Sequence, residues 1–143
     1  MKFTFLFGGR ERAALFQEGI EDYVNRIRRS FAAEILSGKK EGEISRFLKL
    51  LPRGSYLIGL AEGGKDFTSE AFADFLQGLM ERGTKEVIFL IGGADGFSSG
   101  WRERCDTILS LSHLTFSHQL ARLVLVEQVY RALSIMQHRP YHR

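Results

Sequence analysis

Val87-Ile88-Phe89-Leu90-Ile91-Gly92-Gly93-Ala94-Asp95-Gly96 decides how the rest of the chain is read. Five apolar residues with no polar break suit a central parallel strand covered on both faces. The glycines then end the strand and let the backbone turn sharply or approach a ligand closely. Before this stretch, Phe72, Phe75, Leu76, Leu79 and Met80 repeat at helical spacing. Thr68 or Ser69 stands where a helix N-cap belongs, Glu70 in the first turn, and Gly83 where the helix should stop.

Further back the same alternation continues. Residues 3–7 read as an aromatic strand ended by Gly8-Gly9. Phe16, Ile20, Tyr23, Val24 and Ile27 mark a helix, residues 31–36 a second strand, and Ile44, Phe47, Leu48 and Leu51 a short helix stopped at Pro52-Arg53-Gly54. Residues 56–60 read as a third strand, with Ala61-Glu62-Gly63-Gly64-Lys65-Asp66 as a loop at its carboxyl end. Downstream come a short helix over residues 99–105, a strand over 108–111, a loop over 112–117 and a long helix over 118–137. Strand and helix in strict turn, without repeat or linker, predict one α/β domain over residues 1–143 with a mainly parallel sheet.

The last helix is apolar around nearly its whole circumference: Leu120, Ala121, Leu123, Val124, Leu125, Val126, Val129, Tyr130, Ala132, Leu133, Ile135 and Met136. Such a helix is covered on all sides. The readings are a homodimer with this helix in the interface, or a helix deep in a single core.

Composition bounds the function. The chain has 143 residues, 44% of them hydrophobic, so it can bury a core without staples. A single cysteine, Cys105, excludes an internal disulfide framework and a cysteine-rich zinc site, and suits a reducing compartment. The net charge of +3 permits an anionic partner without demanding one. No apolar run approaches the roughly 20 residues that cross a bilayer. A cytoplasmic location is expected.

Ligands of α/β sheets bind at the carboxyl ends of the strands. Three loops stand there, after Leu60, Ile91 and Leu111. None is a P-loop or an opening G-x-G-x-x-G turn, so each reads as a nucleotide-contacting loop or as a tight turn. The histidines, His113, His118, His138 and His142, show no metal-ligand spacing, and no metal is expected. Cys105 reads as a buried small residue and Asp95 as a turn-shaping one. The tail carries His138, Arg139, Tyr141, His142 and Arg143 with no acid, a composition suited to phosphate and base contacts or simply to solvation.

Together, Ile91-Gly92-Gly93-Ala94-Asp95-Gly96, Leu111-Ser112-His113-Leu114-Thr115-Phe116-Ser117-His118-Gln119-Leu120-Ala121-Arg122, Glu127-Gln128-Val129-Tyr130-Arg131-Ala132 and Tyr141-His142-Arg143 resemble the ribosomal RNA large subunit methyltransferase H family of the SPOUT superfamily. The likeness runs the whole length and is strongest over residues 86–143. It implies an α/β fold with a C-terminal deep trefoil knot, although knots are otherwise almost absent from proteins. It also implies a homodimer, S-adenosylmethionine as cofactor, and methyl transfer to N3 of a pseudouridine in helix 69 of bacterial 23S rRNA, on assembled ribosomes.

Carried over by position, the resemblance implies cofactor contacts at Leu60, Gly93, Ser112, His113, Leu114, Thr115, Phe116 and Ser117, largely through backbone and apolar walls. Many relatives have Pro-Glu in place of Ala94-Asp95 and a proline in place of Ser117. His142 and His118 are the candidate bases for the N3 proton, because imidazole titrates near neutral pH. Arg122, Arg139, Tyr141, His142 and Arg143 are the candidate RNA contacts. The rival expectation is an α/β-knot module that holds nucleotide or RNA without transfer.

Overall fold

The computed structural model describes residues 1–9, 14–38, 41–93 and 99–141. The elements are β1 (Lys2–Gly8), α1 (Ala14–Arg28), β2 (Ala32–Gly38), α2 (Glu41–Lys49), β3 (Ser55–Asp66), α3 (Ser69–Glu81), β4 (Glu86–Ile91), α4 (Ser99–Arg104), β5 (Thr107–Ser110) and α5 (His118–Met136). The five strands lie in the order β2-β1-β4-β3-β5, and every pairing is parallel. β4 is therefore central, and all five residues of its apolar run are buried.

The period-two alternation of strand side chains divides the core between the two faces. On one face Phe3, Phe5, Phe7, Val87, Phe89 and Ile91 meet Ile20, Val24 and Ile27 of α1, Phe72, Leu76 and Leu79 of α3, and Leu125, Val126, Val129 and Leu133 of α5. Phe5 and Phe89 stack across the β1–β4 pair with centroids 5.5 Å apart. On the other face Leu6, Leu57, Ile88 and Leu90 meet Ile44 and Leu48 of α2 and Trp101 of α4. Each such buried side chain contributes on the order of 1.5–3 kcal/mol.

Caps fix the helix ends. Thr68 Oγ1 accepts from the Ala71 N–H at 3.0 Å, and Gly83 closes α3 at φ +82°. Ser117 caps α5, its Oγ accepting from the Leu120 N–H. At the far end of α5 the His138 N–H bonds to the Ile135 carbonyl and the Arg139 N–H to the Ser134 carbonyl. This is the double bond pattern that reverses a chain after a helix, and it puts His138 at φ 55°. A side chain there carries strain that glycine avoids. His138→Gly is expected to raise stability by about 0.5–1 kcal/mol, the relief of strain less the entropy that glycine adds to the unfolded chain. The urea midpoint checks it, and a fall would show that the imidazole itself is needed at the reversal.

One expectation is corrected. The stretch from Ala61 to Asp66 is not a loop following β3 but part of it. Leu60 and Lys65 both register with Leu109, so the residues between them bulge out before the strand rejoins β5. Gly63 turns the bulge at φ +75°, and Gly64 lies so close to β5 that a Cβ would stand 2.8 Å from the Ile108 carbonyl oxygen. Paired glycines were read as a strand end, whereas here they permit a bulge.

α5 is covered almost throughout, with no residue from His118 to Met136 fully exposed. No described helix is long and apolar enough to cross a membrane.

Candidate functional site

A cleft of about 750 Å³ opens at the carboxyl ends of β3, β4 and β5, within the size range of small-ligand sites. Leu60, Ala61 and Glu62 of the β3 bulge form its lip. Ile91, Gly92 and Gly93 form its floor, and Leu109 to Ser112 the adjoining wall. Leu114, Phe116 and Ser117 close over it, and His118 and Ala121 present the first turn of α5. Arg102 reaches the cleft from α4.

Local chemistry gives these loops their shape. Ser110 Oγ donates to the Ser112 carbonyl at 3.0 Å, and Ser112 Oγ accepts from the Leu114 N–H at 3.0 Å. The loop is tied to the lip twice: Thr115 Oγ1 donates to Glu62 Oε1 at 2.5 Å, and His113 Nε2 stands 3.1 Å from Asp66 Oδ2. The floor depends on small residues, since a Cβ on Gly93 would lie 3.3 Å from the Gly8 carbonyl oxygen.

Of the residues singled out in the sequence, Leu60, Gly93, Ser112, Leu114, Phe116, Ser117 and His118 converge on the cleft. His113 and Thr115 turn instead to the lip, and the His113 side chain is 90% exposed. Ala94, Asp95, His142 and Arg143 lie outside the described residues. Glu62 and Arg102 were missed. The first was hidden in a stretch read for its glycines, and the second sits on a six-residue helix with little pattern of its own.

Two expected RNA contacts are corrected. Arg122 is only 5% exposed; its guanidinium donates to the Gly8 carbonyl at 2.6 Å and covers the Phe7 ring. It props the end of β1 against the cleft floor and has no route to a surface phosphate. Tyr141 is not open for stacking on a base. The tail folds back over α5, where the Tyr141 hydroxyl meets Tyr23 and Glu127 and its ring packs edge-on against Tyr130 beneath Arg131. Arg139 stays exposed, 3.4 Å from Ser30 Oγ.

Burial, reinforced by neighbouring Asp106, raises the Cys105 pKa. The thiol stays protonated and donates to the Trp101 carbonyl at 3.2 Å, as suits a packing residue. Among the described residues no cluster of three or more His, Cys, Asp or Glu could hold a metal ion.

The family described as "Predicted SPOUT methyltransferase" matches residues 1–142. Proteins named "Ribosomal RNA large subunit methyltransferase H" are similar over the whole chain. The one from Geobacter sp. (strain M21) is 37% identical over 152 residues, and that from Geobacter metallireducens 38%. The one from Parabacteroides distasonis is 37% identical over 157 residues. Each alignment covers 99% of both chains. Among solved structures, the SpoU methyltransferase AviRb from Streptomyces viridochromogenes, in complex with the cofactor AdoMet, shares the fold at a TM-score of 0.53 and 18% identity. That match covers 90% of this chain and spans 56% of the length of the other.

Proposed function

This chain belongs to the SPOUT methyltransferase family, in the group of ribosomal RNA large subunit methyltransferase H, and on that footing we propose that it transfers a methyl group from S-adenosylmethionine to N3 of a pseudouridine in helix 69 of 23S rRNA within assembled ribosomes. The observation that carries the reading is the cleft. Leu60, Gly93 and the loop from Ser112 to Ser117 meet there from three strand ends, in a chain that matches these relatives from end to end.

The residues present fit the cofactor. Exposed peptide groups of Gly92, Gly93 and the 112–117 loop can read an adenine edge, and Leu60, Leu114 and Phe116 offer apolar walls. Arg102 matches a carboxylate, and Glu62 matches an ammonium group or ribose hydroxyls. When bound, S-adenosylmethionine supplies a methyl group already activated by its sulfonium. The protein's own task is then placement. Holding two reactants at near-attack distance lowers a barrier by up to about 7–11 kcal/mol. His118, at the cleft wall, is the base proposed to take the N3 proton on an imidazole nitrogen. His142 of the tail is the other candidate, and Arg139 and Arg143 are the proposed phosphate contacts.

A single domain over residues 1–143, a trefoil knot over about residues 86–143, a homodimer and a cytoplasmic location belong to the same proposal. The dimer draws support from α5, whose Leu120, Leu123 and Val124 are only half-buried, and from Leu15 and Leu114, which are 83% and 75% exposed. That much outward apolar surface suits a second subunit.

The test is methyl transfer from labelled S-adenosylmethionine to unmodified bacterial ribosomes, beside free large subunits and bare rRNA. Label in a helix 69 pseudouridine, strongest on intact ribosomes, is the expected result. Tight cofactor binding with no label on any substrate would replace this reading with a non-catalytic binding module. His118→Ala is expected to lower the saturated rate by about 10²–10⁴-fold. An unchanged rate would move the base elsewhere.

A further inference from the structure

Far along α5 from the cleft lies a second polar cluster that the methyl-transfer reading leaves unused. Its centre is the Glu127 carboxylate, mostly buried beside Arg131. Glu127 Oε1 accepts from Arg131 Nη2 at 2.5 Å and Nε at 3.1 Å, and from the Tyr141 hydroxyl at 3.1 Å. Its Oε2 accepts from Gln128 Nε2, whose own Oε1 accepts from Ser69 Oγ at 2.7 Å. The Tyr23 and Tyr141 hydroxyl oxygens are 3.0 Å apart. Because Tyr141 gives its proton to Glu127, Tyr23 is the donor in that pair.

The ring of Tyr141 is recognised as well as its hydroxyl. Tyr130 meets it edge-on with centroids 4.8 Å apart, and the Arg131 guanidinium lies 4.9 Å from its centroid. Arg26, paired with Asp22, covers the Tyr23 and Tyr130 rings from the other side. Burial first, and then the Tyr23 bond, raise the pKa of the Tyr141 phenol, so the donor proton is retained. The reversal at His138 aims the tail at this spot. Three elements far apart in sequence thus build a socket for one side chain, two residues from the terminal arginine.

We propose that Tyr23, Glu127 and Arg131 are positioning residues that clamp Tyr141 and so fix where the two residues after it, His142 and Arg143, are presented. A carboxylate already balanced by Arg131 costs the fold little, while a charge-assisted bond plus a ring contact gives the tail one address instead of many. A tail held at its root delivers His142 and Arg143 with less loss of chain entropy on substrate binding. The kinetic part of this inference rests on the methyltransferase reading; the clamp itself does not.

The test uses the full chain and the variants Tyr23→Phe, Glu127→Gln and Arg131→Gln. Release of the tail is read as the rate at which carboxypeptidase Y removes Tyr141, followed by mass spectrometry. Tyr23→Phe is expected to speed removal about fivefold and Glu127→Gln about tenfold or more, the difference between losing a neutral and a charge-assisted hydrogen bond. The methyl-transfer kcat on ribosomes is expected to fall in the same order, with cofactor Kd unchanged. Removal at the wild-type rate in both variants overturns the clamp. Faster removal with kcat unchanged overturns the positioning role. Tyr23→Phe deletes one oxygen and decides the matter if Glu127→Gln fails to fold. A wild-type chain that transfers no methyl group would remove the parent reading and leave the trimming result to judge the clamp.

Discussion

Gly64→Val is expected to destabilise the protein by about 2–3 kcal/mol, a fall in Tm of roughly 6–12 °C. The Cβ it adds would stand 2.8 Å from the Ile108 carbonyl oxygen and 2.9 Å from the carbonyl carbon. Both are backbone atoms in a short edge strand, so neither can turn aside as a side chain would. The β3–β5 pair has to separate where Lys65 and Asp66 rejoin β5. Gly63 is the control. It has φ +75° but nothing within 4 Å of its Cβ, so Gly63→Asn should cost under about 1 kcal/mol. Equal losses at the two positions, or none at Gly64, would show that the bulge does not lie against β5. The Gly64 variant should also bind cofactor more weakly, because Ala61 and Glu62 of the lip lose their support.

Ala121→Trp is expected to raise the S-adenosylmethionine Kd at least about 100-fold, or about 2.7 kcal/mol, while Tm moves by no more than about 2–3 °C. Ala121 faces the cleft from the first turns of α5, next to His118, and the sheet side of that helix is held by Leu125 and Val129. An indole at residue 121 fills space that the cofactor needs without disturbing those contacts. Calorimetric titration with S-adenosylmethionine reads the effect. Binding at the wild-type Kd would place the cofactor outside this cleft.

Val87 to Ile91 announced a central strand because covering both faces leaves no place for a polar residue, and β4 is central. Thr68 and Gly83 marked α3 because the ends of a helix make local demands that single residues meet. Gly63 and Gly64 misled, since glycine permits a strand end and a bulge alike, and only the partner strand chooses between them. Arg122 misled for a related reason. Residue type gives a charge, but its address depends on the Gly8 carbonyl, which lies 114 residues away. In the cleft, the apolar and glycine positions could be read from a resemblance that depends on backbone shape. Glu62 and Arg102 could not, because a lone acid and a lone base announce a site only once the fold brings them to one cavity. The Tyr23–Tyr141 contact is the extreme case: neither tyrosine carries any local sign of the other.

The placing of β4 between β1 and β3 also has a consequence for how the chain is made. β1 is synthesised early, yet one of its two sheet neighbours lies beyond residues 9–85. At about 5–20 residues per second the ribosome takes several seconds to cover that distance. Throughout that interval Phe5 lacks Phe89, and the face carrying Phe3, Phe5 and Phe7 lacks the neighbouring strand and the last helix that later cover it. The nascent chain therefore passes through a stage rich in exposed phenylalanine, in which a holding chaperone has its clearest target.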